Sequence, residues 1–190
     1  MAQAARPLRA DAARNRQRVL DVAYETFASE GLSVPVDEIA RRAGVGPGTL
    51  YRHFPSKEDL VRAIITDRLK HVIEEGRALL QTGDPGEALF TFLRSLLFEW
   101  GAADVALKVA VADSEIKIRT KEVRDPFLSL INELLSAAKQ AGTVRADVNA
   151  TQVKTLIVGC QTMHSYNAKA SSQAIAVVFD GLRTPSPPNP

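Results

Sequence analysis

The chain has 190 residues, 45% of them apolar and only 6% aromatic, which is enough for one large helical domain or two linked lobes with an aliphatic core. The lone cysteine, Cys160, excludes an internal disulfide and fits a reducing cytoplasm; residues 1–13 contain no apolar leader, and no run is long and apolar enough to span a bilayer, so no membrane association is expected. The formal charge is +2 but uneven, since the first seventy residues carry 12 of the 24 Lys/Arg and only 9 of the 22 Asp/Glu.

Helical periodicity runs almost from end to end and strand alternation is nearly absent, which predicts an all-α protein. In the first twenty residues Arg6, Arg9, Arg14, Arg16 and Arg18 face only Asp11. Residues 1–13 read as a flexible basic arm suited to phosphates or a minor groove, or as a merely solubilising end. Helix 1 is expected over Ala12–Ser29, with Leu20, Ala23 and Phe27 inward, Val19 beside them and Gly31 as its stop. Helix 2 is expected over Pro35–Ala43. Its apolar stripe is Val36, Ile39, Ala40 and Ala43, and Gly44 supplies the left-handed cap that ends it. After Val45 at the corner, Pro47 suits the first turn of helix 3, which is expected to end at His53. Leu50 and Phe54 share the buried side of that helix, whereas Thr49, Tyr51, Arg52 and His53 crowd polar groups onto it. Helix, tight turn, helix is the arrangement by which a small domain offers one helix end to the DNA major groove. Arg41 and Arg42 on helix 2 are placed to reach the backbone beside that groove, or are simply solvated charges.

Helix 4 opens with Ser56 as N-cap and Asp59 at N3, a near capping box. Its apolar positions Leu60, Val61, Ile64, Ile65, Leu69, Val72 and Ile73 outlast the needs of a three-helix domain and predict a long helix that joins two lobes. Asp84-Pro85-Gly86-Glu87 is a second start signal, with Pro85 at N1 and Glu87 at N3, followed by Leu89, Phe92, Leu93, Leu96 and Leu97 to about Trp100. Residues 103–118 read as a further helix with Val105, Val109 and Ala112 inward, and Lys117–Asp125 as a solvated helix end and corner. Phe127, Leu130, Ile131, Leu134, Leu135 and Ala138 form the clearest amphipathic helix, stopped by Gly142. Asn149 and Gln152 cap the next, which carries Val153, Leu156, Ile157 and Cys160. Ser171 or Ser172 caps the last, with Ile175, Val178, Phe179 and Leu182, and the terminal TPSPPNP is expected to be disordered or extended. LIVGC at 156–160 and IAVVF at 175–179 make the final two helices unusually apolar, through pairing with a second copy or through burial within one protomer.

Other chemistries have little support. GVGPG at 44–48 has no preceding strand and no following GK[ST], and Pro47 deletes an N–H that a phosphate loop would use. His53, His71 and His164 stand far apart, one cysteine makes no zinc cluster, and there is no GxSxG. The residues call for no catalytic site, no metal and no cofactor.

From about Arg14 to Ile73 the sequence resembles the TetR family of one-component transcriptional regulators. The marks are the Phe27…Gly31 end of helix 1, IARRAGVGPGTLYRHFPSKEDL at 39–60 and the aliphatic start of helix 4. The resemblance implies an N-terminal three-helix DNA-binding domain (14–60) with a helix-turn-helix. It is joined through long helix 4 to a C-terminal helical ligand-binding and dimerisation domain (61–183), with a tail at 184–190. It further implies a homodimer, paired through the last two helices, on a palindromic double-stranded operator with half-sites roughly 34 Å or somewhat more apart. The implied function is a cytoplasmic repressor released by a small-molecule effector; the alternative is a helical structural protein that binds DNA without sequence preference.

The resemblance also implies roles for single residues. Thr49 corresponds to a phosphate- or base-contacting hydroxyl, and Gly48 permits close approach to the duplex. Pro47 and Arg52 stand at base-reading positions, and arginine suits guanine. Tyr51 and His53 correspond to phosphate-facing rings, and Lys57 to a phosphate clamp. Two departures are Gly46 at the helix 3 cap and Pro35 at the start of helix 2, where the family often has Ser or Thr. An effector cavity is implied, with Phe92, Leu96, Trp100, Val109, Phe127, Ile131, Met163 and His164 as candidate walls and Gln161, His164 and Trp100 as candidate polar groups, though ordinary core packing accounts for most of these better.

Overall fold

Apolar residues recurring every three or four positions fold nearly all of the described chain into helix. The computed structural model describes residues 5–99 and 121–185. In chain order the elements are α1 (Ala5–Glu30), α2 (Val36–Arg42), α3 (Pro47–His53), α4 (Lys57–Thr82), α5 (Ala88–Arg94) with a π-helical continuation over Ser95–Glu99, α6 (Lys121–Gln140), α7 (Ala150–Tyr166) and α8 (Ala168–Leu182). The expected helix over 103–118 lies outside the described residues.

Among the described residues the chain divides into two compact units, 5–68 and 69–99 with 121–185, so that the division falls inside α4. The reason is packing: Leu60, Val61 and Ile64 are buried with Val19, Leu20, Phe27, Ile39, Leu50 and Phe54 in the core of the first unit. The second unit has its own core of Phe90, Phe92, Leu93, Leu130, Ile131, Leu134, Val153 and Ile175. There α4 comes so close to α5 and α6 that a Cβ on Gly76 would lie 2.6 Å from Leu130 Cδ2 and 2.9 Å from Phe92 Cε2.

The three glycines expected to stop helices, Gly31, Gly44 and Gly142, all have positive φ, of 82°, 64° and 74°. Around Gly44, the Val45 amide bonds to Ala40 O at 3.0 Å and the Gly44 amide to Arg41 O at 3.2 Å, so the last carbonyls of α2 are satisfied by the corner itself. Asn149 and Gln152 form the expected reciprocal cap of α7, at 3.0 and 2.8 Å. At the start of α4, Ser56 Oγ accepts from the Asp59 amide at 3.1 Å and donates to the Asp59 carboxylate at 2.7 Å.

Other expectations are corrected. α1 begins at Ala5, so residues 5–13 continue the first helix instead of forming an arm; Ala and Arg favour helix, and Pro7 falls in the first turn, where no helical partner is lost. The 84–87 signal makes a turn, with Asp84 Oδ1 accepting from the Gly86 amide at 2.8 Å, and α5 starts only at Ala88. Glu87 does not close a capping box, because both its oxygens are taken by Arg183. Residues 121–125, expected as a corner, are already helical, and Pro126 sits inside α6 at an exposed position. The last helix is capped by Asn167, whose side chain accepts from the Ala170 amide at 3.1 Å, rather than by Ser171 or Ser172; Ser171 is buried. Thr184, expected in the loose tail, is held by the Thr143 carbonyl at 3.1 Å through its amide and by the Gly142 carbonyl at 2.8 Å through its hydroxyl. Residues 186–190 lie outside the described residues.

Candidate nucleic-acid interface

The first unit presents α3 as a helix buried on one side and open on the other. Leu50 and Phe54 are 1% and 2% exposed, whereas Gly46, Pro47, Gly48, Tyr51, Arg52 and His53 are exposed and Thr49 is half-buried. Gly46 is the N-cap in extended conformation (φ −67°, ψ 142°) with no side-chain cap bond, and its carbonyl accepts from the Thr49 and Leu50 amides at 2.9 and 3.1 Å. A Cβ at Gly48 would meet nothing within 4 Å, so the start of the helix is bare enough for close approach to another surface. A hydrogen bond to Asp37 of α2, helped by partial desolvation, pushes the Tyr51 hydroxyl above its usual range. The His53 ring is tilted against Phe54 with centroids 6.2 Å apart.

The flanking cations divide into two kinds. Arg41 is the more open, with its side chain 73% exposed, and it is paired within α2 by two bonds to Glu38, both at 2.7 Å. Arg42 is engaged inside the domain: it reaches Glu38 of α2, and Glu30 and Thr26 of α1. Lys57 also differs from an idle phosphate clamp. Its Nζ donates to the Val34 carbonyl at 2.7 Å and lies 5.5 Å from the Phe27 ring centroid, and burial pushes its pKa down. One of its three N–H donors is thus committed to the α1–α2 loop. Arg16 of α1 lies over the Phe54 ring at 5.5 Å, which adds a cation next to α3.

Sequence spacing makes the Glu38–Arg42 pair legible, at i and i+4 on one helix. It gives no sign of Glu30 or Asp37 as partners, because those contacts join different helices.

In the second unit, Phe92, Leu96, Phe127 and Ile131 come together in one buried cluster, with the Phe92 and Phe127 rings 6.3 Å apart. Gln161 is also buried, at 9% exposure, but Met163 is 40% exposed and does not join the cluster. Trp100 and Val109, and the side chain of His164, lie outside the described residues. A separate open concavity of about 590 Å³ lies between α7 and α8, with Val148, Leu156, Val178 and Leu182 among its lining; none of the expected wall residues borders it. Among the described residues no cluster of His, Cys, Asp and Glu is arranged to hold a metal ion, and no helix is long and apolar enough to cross a membrane.

The comparisons with known proteins agree with this geometry. Residues 19–64 match the family described as bacterial regulatory proteins, tetR family, and residues 84–184 match the C-terminal domain of SbtR-like transcriptional regulators. The crystal structure of a TetR transcription regulatory protein from Mycobacterium vanbaalenii is 48% identical, covers 94% of this chain and all of its own (100%), and superposes with a TM-score of 0.78. The TetR regulator SCO0520 from Streptomyces coelicolor is 29% identical, with 90% of this chain and 99% of that chain covered and a TM-score of 0.72. The HTH-type transcriptional repressor KstR2 of Rhodococcus jostii is 28% identical over 189 residues, which is 90% of this chain and 92% of that protein. An exposed polar reading helix behind a glycine corner, in a chain matched by family models over both halves, leads to one assignment: this chain belongs to the TetR family of DNA-binding transcriptional regulators.

Proposed function

We propose that the protein is a homodimeric repressor that binds a palindromic operator in the cytoplasm and leaves it when a small-molecule effector binds the second unit. The observation that carries this reading is the two-sidedness of α3: Leu50 and Phe54 are sealed in the core while Thr49, Tyr51, Arg52 and His53 remain accessible next to Arg41 and Lys57. In the complex, Gly46, Pro47 and Gly48 let the backbone approach the duplex. Thr49, Tyr51, His53, Arg41 and the two uncommitted Lys57 donors take phosphates, and Arg52 reads a base edge.

The partner is a second copy docked on α7 and α8. Their 32 residues carry only Lys154, Lys169 and Asp180 as formal charges, and Val158, Val177 and Tyr166 are 55%, 67% and 92% exposed. A face this apolar is costly to leave in water, and two-fold pairing would cover it. The effector site is the Phe92–Leu96–Phe127–Ile131 side of the second core, with Gln161 as a polar contact. Release requires that the effector bind the non-operator arrangement more tightly, since only differential affinity shifts a population. The repressor named among the relatives supports the direction of control.

Footprinting on the DNA surrounding the protein's own coding region tests the proposal. It predicts two protected half-sites related by dyad symmetry and about one helical turn or more apart. Protection with no dyad, or only in the presence of a ligand, would overturn the dimeric or the effector-released reading respectively.

A further inference from the structure

Arg42 stands at the last position of α2, directly before the corner that leads into α3. By its place it belongs with the cations that flank the reading helix. Its contacts do not fit that grouping. The Nε–H donates to Glu38 Oε1 at 2.7 Å, Nη2 donates to Glu30 Oε2 at 3.1 Å, and Nη1 donates to Glu30 Oε1 and, at 3.4 Å, to Thr26 Oγ1. An arginine has five N–H groups, and these four bonds leave one. Glu30 and Thr26 lie in the last turns of α1, and Thr26 is itself buried at 4% exposure.

The local charge argues the same way. Arg41 and Arg42 face Glu30 and Glu38, so the four groups sum to zero. A phosphate approaching Arg42 would displace a bidentate carboxylate and meet two negative charges. Arg41 is also held by two bonds, both to Glu38 of its own helix, but its side chain is 73% exposed against 34% for Arg42, and these bonds stay within α2.

We infer that Arg42 is a positioning residue: it ties the α2–α3 corner to the end of α1 and thereby sets the direction in which α3 is presented, without touching DNA. The inference rests on the reading of α3 as the groove-facing helix. The buried stripe of Ile39, Ala40 and Ala43 seats α2 against the core, and the fork of Arg42 across to Glu30 adds a directional tie between the end of α2 and the end of α1.

Three variants, Arg42→Ala, Glu30→Gln and Arg41→Ala, separate positioning from phosphate contact. The probe is the duplex that the wild-type protein selects from a random-sequence pool, and binding is followed by fluorescence anisotropy over a salt series, at a temperature where circular dichroism shows every variant folded. Positioning predicts that Arg42→Ala binds about tenfold more weakly with the wild-type slope of log K against log salt, and that Glu30→Gln also weakens binding. A phosphate contact predicts a slope shallower by about 0.9 for Arg42→Ala and tighter binding for Glu30→Gln, because a negative charge near DNA is removed; either result overturns the inference. Unchanged affinity in folded Arg42→Ala overturns it too, leaving the residue a role in stability alone. A wild-type chain that selects no duplex counts against the regulator reading instead. Hydrogen exchange on the free protein decides the inference in that case: the Leu50–Phe54 amides exchange faster in Arg42→Ala than in wild type and Arg41→Ala, and equal exchange contradicts it.

Discussion

Arg183 and Glu87, 96 positions apart, form a two-pronged ion pair: Nη1 donates to Oε1 at 2.8 Å and Nη2 to Oε2 at 3.1 Å. The same guanidinium lies 3.9 Å from the centroid of Phe90. The pair closes the end of α8 onto the start of α5, beside the Val144–Arg183 bridge. Both side chains are more than a third exposed, so solvent screens the charge–charge part. We expect Arg183→Ala to cost about 1 kcal/mol, mostly from lost stacking and packing. Arg183→Lys should recover little of it, since lysine offers neither the fork nor the flat face. Urea denaturation of the two variants checks both statements.

Gly76 is the second test of packing. Its missing side chain lets α4 lie against Leu130 and Phe92, which are themselves 0% and 1% exposed and would have to shift within the core to admit a Cβ. Gly76→Ala gains helix propensity of about 1 kcal/mol but overpacks the core by roughly 1–3 kcal/mol, so a lower melting temperature is expected. Gly48→Ala, at an exposed position of α3 where the added methyl meets nothing, should raise the melting temperature instead. Thermal melts of the two variants moving in the same direction would refute this account of the contact.

Glu38 contributes to the pH dependence of the first unit, as does Glu30, whose carboxyl is also held down by Arg42. Hydrogen bonds from Arg41 and then Arg42 hold its carboxyl down at about 2, against an ordinary 4.5. A lowered carboxyl pKa gives stability that is present above the unfolded value and is lost as pH falls through the folded one. The stability difference between wild type and Glu38→Gln is therefore constant at neutral pH, starts to shrink as pH drops below 4.5, and is gone near 2. A difference that grew on acidification would contradict the assignment of that proton.

Pairing through α7 and α8 is open to a single charge. Val177 is 67% exposed in the protomer, so lysine fits there without disturbing the fold, yet it would place a charge in the middle of the proposed interface. Sedimentation velocity should show wild type as a dimer and Val177→Lys as a folded monomer with unchanged circular dichroism. A dimer of undiminished strength would place the interface elsewhere.

What could be read from the sequence follows the range of the forces involved. Gly31, Gly44 and Gly142 announce their caps because positive φ is a property of one residue, and Asn149 with Gln152 because a capping box spans one turn. The buried sides of α3 and α6 follow from periodicity alone. Contacts between distant segments leave no local trace: Glu87 has the correct spacing for a box but is drawn away by Arg183, and spacing within α2 pairs Arg42 with Glu38 while giving no sign of Glu30. Asn167 replaced the serines as the cap of α8 because the helix starts earlier, which put Ser171 in the core. At the start of the π-helical turn Ser95–Glu99, Ser95 Oγ donates to Glu75 Oε1 of α4 at 2.6 Å, a partner that no spacing within α5 could reveal.

The central claim is that the open face of α3 distinguishes one DNA sequence from another. Equilibrium competition between the selected duplex and a scrambled duplex of equal length, at one fixed salt concentration, measures it most directly. We predict a preference of about a thousandfold or more for the wild-type protein, and for Arg52→Ala a loss of discrimination confined to one base pair in each half-site, worth roughly 1–3 kcal/mol. Equal affinity for the two duplexes, or a base-preference profile that survives both Thr49→Ala and Arg52→Ala, would contradict it.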